Sequence, residues 1–149
     1  MSDAGIRVLI VDDHPVVRKG LSTFLSNEPD LEVVGAAENG ERAIEIASRD
    51  CPDVVLMDLS MPGMGGIKAT KVLVEQHPEI KVLMLTSFGG HERMVEALQA
   101  GAVGYVVKDS APTEILRALR SVGGAGSQED DAAADESARG ADNGSPPGE

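Results

Sequence analysis

Five short apolar runs, separated by longer stretches of helical spacing, restrict the fold of this 149-residue chain more than any other feature. The runs are RVLIV (7–11), LEVVGAA (31–37), VVLM (54–57), KVLMLT (81–86) and GYVV (104–107). The first, third and fourth are apolar almost throughout, as in parallel strands that are covered on both faces. The pattern therefore predicts an α/β domain built from successive strand and helix units, with strands that are parallel and covered on both faces.

One helix is expected after each strand, which makes five. The first begins at Pro15, because the fixed φ of proline suits the first helical position. Asn39 and Thr113 are expected to cap the second and fifth helices, and the third and fourth are expected over about residues 66–76 and 91–100. The apolar stripes of the first, second and fifth helices are, in chain order, Val17, Leu21, Phe24, Leu25; Ala43, Ile44, Ala47; and Ile115, Leu116, Leu119, Val122.

The composition changes near residue 122. Residues 1–122 form the predicted domain, and residues 123–149 hold seven acidic residues against Arg139, which is half of the net charge of −12. This tail has no aliphatic residue larger than alanine and no aromatic residue, so it cannot bury enough apolar area to offset the entropy of ordering. We expect an acidic, disordered tail that either only solvates the domain or docks and regulates it.

Several classes of protein are disfavoured by the sequence. No apolar run approaches the roughly 18 residues of a membrane span, and the first residues lack a signal sequence, so a cytoplasmic protein without a membrane partner is expected. The single cysteine, Cys51, is expected to be a packed or partly buried thiol without a role. The acidic charge balance disfavours direct nucleic-acid binding.

Polar residues gather where the predicted strands end. Asp12 and Asp13 follow the first strand, Asp58 follows the third, Thr86 closes the fourth and Lys108 follows the fifth. If the strand order is 2-1-3-4-5, the first and third strands are neighbours, and the three carboxylates should converge at one edge of the sheet.

Three carboxylates at one place need a cation or raised pKa values, since two like charges about 4 Å apart repel by roughly 4 kcal/mol at an effective dielectric constant of 20. Oxygen ligands with partial access to water favour Mg²⁺, which leaves room for a phosphoryl oxygen. The Lys108 ammonium and the Thr86 hydroxyl could then bind two further phosphoryl oxygens.

Four segments, VLIVDDHPVVRKGL, VVLMDLSMPGMGG, VLMLTSF and AGAVGYVVKD, resemble the receiver domain of bacterial two-component response regulators. The resemblance covers about residues 5–122 and is closest to the NarL/LuxR-type branch, which commonly carries a C-terminal helix-turn-helix domain. It implies an α/β fold with a flavodoxin-like, doubly wound sheet of five parallel strands in the order 2-1-3-4-5 and five helices. It implies that Asp58 is the phosphoacceptor, and that Asp13, Asp58 and the backbone carbonyl of Ser60 are Mg²⁺ ligands, with Asp12 acting through water.

The resemblance implies further roles. Lys108 would contact the phosphoryl group, Thr86 would swing toward it, and Tyr105 would turn inward as a coupled aromatic switch. These movements would reshape the face formed by the fourth helix, fifth strand and fifth helix, which the family uses for dimerisation. Ser60 and Phe88 would govern the access of water to the acyl phosphate.

Three features depart from the family pattern. Gly65 stands where an aspartate is common. Glycine should weaken the N-terminal cap of the third helix by roughly a few tenths of a kcal/mol. Asp109 follows Lys108 where many receivers have proline. No DNA-binding domain follows the receiver-like segment in this sequence.

The sequence thus predicts a single-domain response regulator. It would accept a phosphoryl group from a sensor histidine kinase, catalyse only its own phosphorylation and dephosphorylation, and switch its binding to other proteins. Its output stays open: phosphoryl shuttling, draining a kinase, binding a target, or forming homodimers or heterodimers with related regulators.

The sequence was also compared with three alternative functions. A haloacid-dehalogenase-type enzyme would need a second aspartate two residues after the nucleophile, where Ser60 stands. A scaffold that is never phosphorylated would not need the complete set of Asp12, Asp13, Asp58, Thr86 and Lys108. A DNA-binding regulator is disfavoured by the acidic charge balance.

The three histidines, His14, His77 and His91, lack the spacing of metal ligands with one another or with the cysteine. His14 either lines the site or is a plain turn or helix-start residue.

Overall fold

The computed structural model describes residues 5–59, 61, 63–86, 91–108 and 111–123. Five strands alternate with five helices along the chain, as the sequence predicts. The strands are β1 (Ile6–Val11), β2 (Leu31–Ala37), β3 (Val54–Asp58), β4 (Lys81–Thr86) and β5 (Gly104–Val107). The helices are α1 (Pro15–Ser26), α2 (Gly40–Asp50), α3 (Gly65–Gln76), α4 (His91–Ala100) and α5 (Pro112–Gly123). Within these ranges no helix has both the length and the apolar character that a membrane span requires.

The five strands form one parallel sheet in the order β2-β1-β3-β4-β5, which confirms the predicted doubly wound topology. The strand order reverses between β1 and β3, where Val11 pairs with Met57. Residues that follow these two strands therefore leave the sheet side by side. In sheets of this topology ligands bind at this place, beyond the carboxyl ends of the strands.

The central strands are buried on both faces because side chains alternate between two apolar cores. Leu9, Val55 and Met84 point toward α2, α3 and α4, whereas Ile10 and Leu56 point toward α1 and α5. Each fully buried side chain of this size contributes on the order of 1.5–3 kcal/mol relative to exposure. The two cores thus hold the strand ends in a rigid frame for the polar residues that follow.

Local signals place most of the helix ends. The side chain of Asn39 accepts a hydrogen bond of 2.7 Å from the Arg42 backbone N–H, so the predicted cap of α2 is confirmed. Helix α1 begins at Pro15, also as predicted. Helix α3 begins at Gly65, one residue before the predicted start, and Met64 at its N-cap makes no side-chain hydrogen bond.

Two expectations are wrong. Thr113 does not cap α5, because the helix already begins at Pro112, whose φ is preset for the first turn. Cys51 is exposed rather than packed, since it is the C-cap of α2 and adopts a left-handed conformation with φ 49° as the chain turns out of the helix. The predicted tail begins at Gly123, which is still helical, and its residues 124–149 lie outside the described part of the chain.

Candidate functional site

The turn after β1 places one aspartate inside the protein and the next at its surface. The Asp12 side chain is fully buried, whereas that of Asp13 is partly exposed. The Asp12 backbone N–H donates to the Ala37 carbonyl at 3.0 Å, and Arg18 Nη1 on α1 donates to the Asp12 carbonyl at 2.7 Å. Both backbone groups of Asp12 are therefore held by neighbouring elements, which fixes the direction of its carboxylate.

Asp58 is the last residue of β3 and is 1% exposed. It pairs with Leu85 on β4, and the next backbone N–H, that of Leu59, donates to the Leu85 carbonyl at 2.8 Å. A Cβ at Gly66 would overlap the Asp58 carbonyl oxygen, so only glycine allows the first turn of α3 to approach so closely. The turn before it contains Gly63, whose φ of +75° also favours glycine.

Lys108 joins two of the carboxylates. Its backbone N–H extends the pairing with β4 by donating to the Thr86 carbonyl at 2.8 Å. Its Nζ lies 3.1 Å from Asp12 Oδ2 and 3.1 Å from Asp58 Oδ2. Burial lowers the pKa of Lys108, but the carboxylates of Asp58 and Asp12 outweigh this effect and raise the pKa above its ordinary value of 10.5. Lys108 is therefore charged at neutral pH.

The acidic cluster consists of Asp12, Asp13, Asp58 and the adjacent His14. One potential ligand atom from each of these residues lies within 4.8 Å of the other three. The single ammonium of Lys108 offsets one of three carboxylate charges, so the cluster keeps an excess of negative charge. In the part of the chain that the structure describes, Asp12 Oδ2 is buried and is paired with the Lys108 ammonium at 3.1 Å, with no other hydrogen bond. Buried carboxylates in excess of their ammonium partner fit a divalent cation.

Of the other predicted site residues, Thr86 lies at the same edge of the sheet, Tyr105 lies within β5, and three are outside the described residues. Thr86 closes β4 and is 2% exposed. Tyr105 on β5 pairs with Met84 and is half-buried against the core that faces α2, α3 and α4. Ser60, Phe88 and Asp109 are not among the described residues, so their predicted roles stay predictions.

Sequence reasoning missed two supporting residues and left a third open. Gly66 and Arg18 support the backbone of the acidic residues rather than contributing a ligand, and no local pattern distinguishes them from other glycines and arginines. The sequence left open whether His14 lines the site or only starts the first helix, and the structure shows both. His14 is the N-cap of α1, and its Nδ1 lies 3.1 Å from Asp12 Oδ1 and 3.2 Å from Asp13 Oδ1. The signal for His14 was its position directly after the acid pair.

Comparison with known proteins agrees with this geometry. Residues 8–120 match the model of the response regulator receiver domain. The chain is 44% identical over 119 residues to the transcriptional regulatory protein YhcZ of Bacillus subtilis, which covers 80% of the chain and 56% of YhcZ. It is 44% identical over 116 residues to the transcriptional regulatory protein LiaR of the same organism, covering 78% of the chain and 55% of LiaR. The chain thus spans about half the length of these relatives.

Solved structures show the same fold. The signal receiver domain of NarL from Mycobacterium tuberculosis superposes with a TM-score of 0.74 at 36% identity, covering 78% of this chain and 94% of that domain. A LuxR-family two-component response regulator from Aurantimonas superposes with a TM-score of 0.76 at 32% identity, covering 87% and 97%. The matched residues, the strand order and the acidic edge agree with one another, and the chain belongs to the response regulator receiver domain family.

Proposed function

We propose that this protein accepts a phosphoryl group on Asp58 from a phosphohistidine of a sensor histidine kinase, in a reaction that depends on Mg²⁺. One observation carries the proposal. The Asp58 carboxylate is buried at the end of β3, 3.1 Å from the Lys108 ammonium and next to the Asp12 and Asp13 carboxylates. Phosphoryl acceptance is the typical role of the receiver family.

The proposed transfer needs little covalent chemistry from the protein. A carboxylate oxygen of Asp58 forms a bond to phosphorus while the bond between phosphorus and the histidine nitrogen breaks, and the leaving imidazole takes up a proton. Lys108 holds the charge of the transferred group, and the rigid frame of β1, β3 and β5 keeps the nucleophile in place. Positioning and charge neutralisation are the main sources of rate in phosphoryl transfer.

The acidic cluster fits a magnesium ion by the nature of its donors. Asp13 and Asp58, together with the backbone carbonyl of Ser60, would hold the ion, and Asp12 would act through water. A bound Mg²⁺ would neutralise charge on the phosphoryl oxygens during transfer. It would also offset the excess negative charge that Lys108 leaves on the three carboxylates.

The switching part of the proposal rests on the neighbours of the site. Thr86 would move toward the phosphoryl group and Tyr105 would follow, with the result that α4, β5 and α5 change their surface. A contact supports a link between Asp58 and α4, because Arg93 Nη2 on α4 lies 3.4 Å from the carbonyl oxygen of Leu59, the residue after Asp58. Displacement of Leu59 on phosphorylation of Asp58 would therefore be transmitted to α4 through Arg93.

The proposed output is protein binding at the face of α4 and β5. Val95, Leu98 and Val103 expose between 43% and 46% of their surface there. Homodimers, heterodimers with related regulators and other protein targets are all compatible with such a surface. We place the protein in the cytoplasm, where response regulators meet their kinases, and we expect no direct binding to nucleic acid by residues 1–149 because of their net charge of −12.

The test is native mass spectrometry with Mg²⁺ and acetyl phosphate. The wild-type chain should gain one phosphoryl group, and Asp58→Asn should gain none. Asp53→Asn is the matched control, because Asp53 lies just before the same strand, accepts a hydrogen bond from the Arg7 backbone N–H, and is far from the cluster along β3. A stable adduct on Asp58→Asn would overturn the site. Labelling that does not require Mg²⁺ would overturn the role of the metal, and the absence of labelling by both acetyl phosphate and phosphorylated kinase would favour an unphosphorylated scaffold.

A further inference from the structure

His14 lies beside the acidic cluster, and the receiver chemistry above does not use it. It follows the acid pair, and one nitrogen of its imidazole ring is close to an oxygen of each carboxylate. Nδ1 is 3.1 Å from Asp12 Oδ1 and 3.2 Å from Asp13 Oδ1, and the His14 backbone N–H also donates to Asp12 Oδ1 at 2.9 Å. The ring is thus held against the cluster by its own backbone as well as by its side chain.

The distance between His14 Nδ1 and Asp13 Oδ1 has a chemical meaning. Ligand atoms at about 2.0–2.1 Å from a cation and at right angles to each other lie about 2.8–3.0 Å apart, so the 3.2 Å between these two atoms is close to the cis edge of an octahedral site. The 3.1 Å between Nδ1 and Asp12 Oδ1 is a hydrogen-bond distance. The cluster also contains the fully buried Asp12, whose Oδ2 is paired with the Lys108 ammonium at 3.1 Å. An imidazole nitrogen among carboxylate oxygens shifts metal preference, since imidazole suits nickel, zinc and iron, whereas carboxylate and water suit magnesium and manganese.

We propose that His14 Nδ1 is a ligand to the cation in this site, and that it lets the site bind transition metals such as Ni²⁺ more tightly than three carboxylates alone would. The inference rests on the proposed cation site and adds a ligand to it. The side chain of His14 is 63% exposed, so the ring can shed water and accept a metal without rearrangement of the core. Exchange of the bound metal would then be controlled by a residue at the surface.

The affinity test compares Ni²⁺ and Mg²⁺ binding by calorimetry. It uses the full chain without a histidine tag and with Cys51→Ser, because the exposed thiol would bind Ni²⁺ by itself. His14→Gln should weaken Ni²⁺ binding about tenfold or more, as loss of a metal-supporting group typically does, and should change Mg²⁺ binding by less than about threefold, because Mg²⁺ draws on oxygen ligands. His77→Gln is the matched control, since His77 pairs with Ser48 away from the cluster, and it should change neither affinity.

A second readout is pulsed electron paramagnetic resonance of Mn²⁺ bound to the parent chain and to His14→Gln. The parent spectrum should show a coupling to the imidazole nitrogen, and this coupling should be absent from the spectrum of His14→Gln. Equal Ni²⁺ affinity in His14→Gln and its parent, or a Mn²⁺ spectrum without nitrogen coupling, would overturn the inference. If Mg²⁺ binding and labelling of Asp58 persist in that case, the proposed function stands without the extra ligand. If neither Mg²⁺ nor Ni²⁺ binds the chain, the proposed cation site itself is wrong.

Discussion

Replacing Lys108 with methionine should expose how strongly its ammonium holds the acidic cluster together. The ammonium lies 3.1 Å from a carboxylate oxygen of Asp12 and of Asp58. Each contact is worth about 5 kcal/mol of Coulomb energy at an effective dielectric constant of 20, and much of it is offset by the cost of burying the charges. Breaking a buried pair typically costs about 3–5 kcal/mol, and the 17% exposure of Lys108 lowers this range, so we expect a loss of about 2–4 kcal/mol.

The assay is thermal unfolding followed by circular dichroism at neutral pH in the presence of EDTA. For a domain of this size, the expected loss lowers the melting temperature by roughly 8–16 °C. Lys19→Met on α1 is the matched control, because Lys19 is exposed and should tolerate the same substitution. Added Mg²⁺ should restore part of the stability of Lys108→Met, since a divalent cation would neutralise the same carboxylates.

A double mutant cycle separates the charge effect from the loss of packing. Asp58→Asn removes one of the charges that Lys108 offsets. In that background Lys108→Met should therefore lower the free energy of unfolding by about 1 kcal/mol less than it does in the wild type, or by a still smaller amount. An unchanged melting temperature of Lys108→Met in EDTA would refute the reasoning. It would mean that the carboxylates do not depend on the ammonium for their place in the folded protein.

Three further predictions concern stability. Gly66→Ala should lower stability by about 1–3 kcal/mol and slow labelling of Asp58, because its Cβ would overlap the Asp58 carbonyl; normal stability in chemical denaturation would contradict the contact. Arg7→Met should lower the free energy of unfolding by about 2 kcal/mol, because Arg7 Nη1 donates to the Asp50 and Cys51 carbonyls at the end of α2. In urea, the midpoint of unfolding should fall while the dependence of the free energy on urea concentration stays unchanged. Arg120 donates hydrogen bonds that hold the pKa of the Asp30 carboxyl below its ordinary value of 3.8, with burial opposing. The pair's contribution is therefore complete above that pH and is lost as the pH falls through the lowered pKa, so Arg120→Gln should melt slightly below wild type at pH 7, and the difference should vanish in strong acid.

The elements of the fold were largely predictable because their signals are local. A short, uninterrupted apolar run rich in β-branched residues, such as VVLM, is typical of a strand covered on both sides, and β3 is buried over its whole length. Asn39 caps α2 with its own side chain, which needs no partner from elsewhere in the chain. The error at α5 was also local in origin, because Pro112 and Thr113 both suit a helix start and the helix begins at the earlier of the two.

The sequence by itself determined which polar residues reach the edge of the sheet, since each follows a strand whose direction is set by the parallel topology. Tertiary structure decided what those residues do to one another. Lys108 stands 50 residues after Asp58, and only the neighbouring places of β3, β4 and β5 bring its ammonium within 3.1 Å of two carboxylates. The close approach of Gly66 to Asp58 likewise depends on the packing of α3 against the end of β3, which no local pattern encodes. The contacts of the His14 ring with Asp12 and Asp13 are local, so they lie within reach of the sequence.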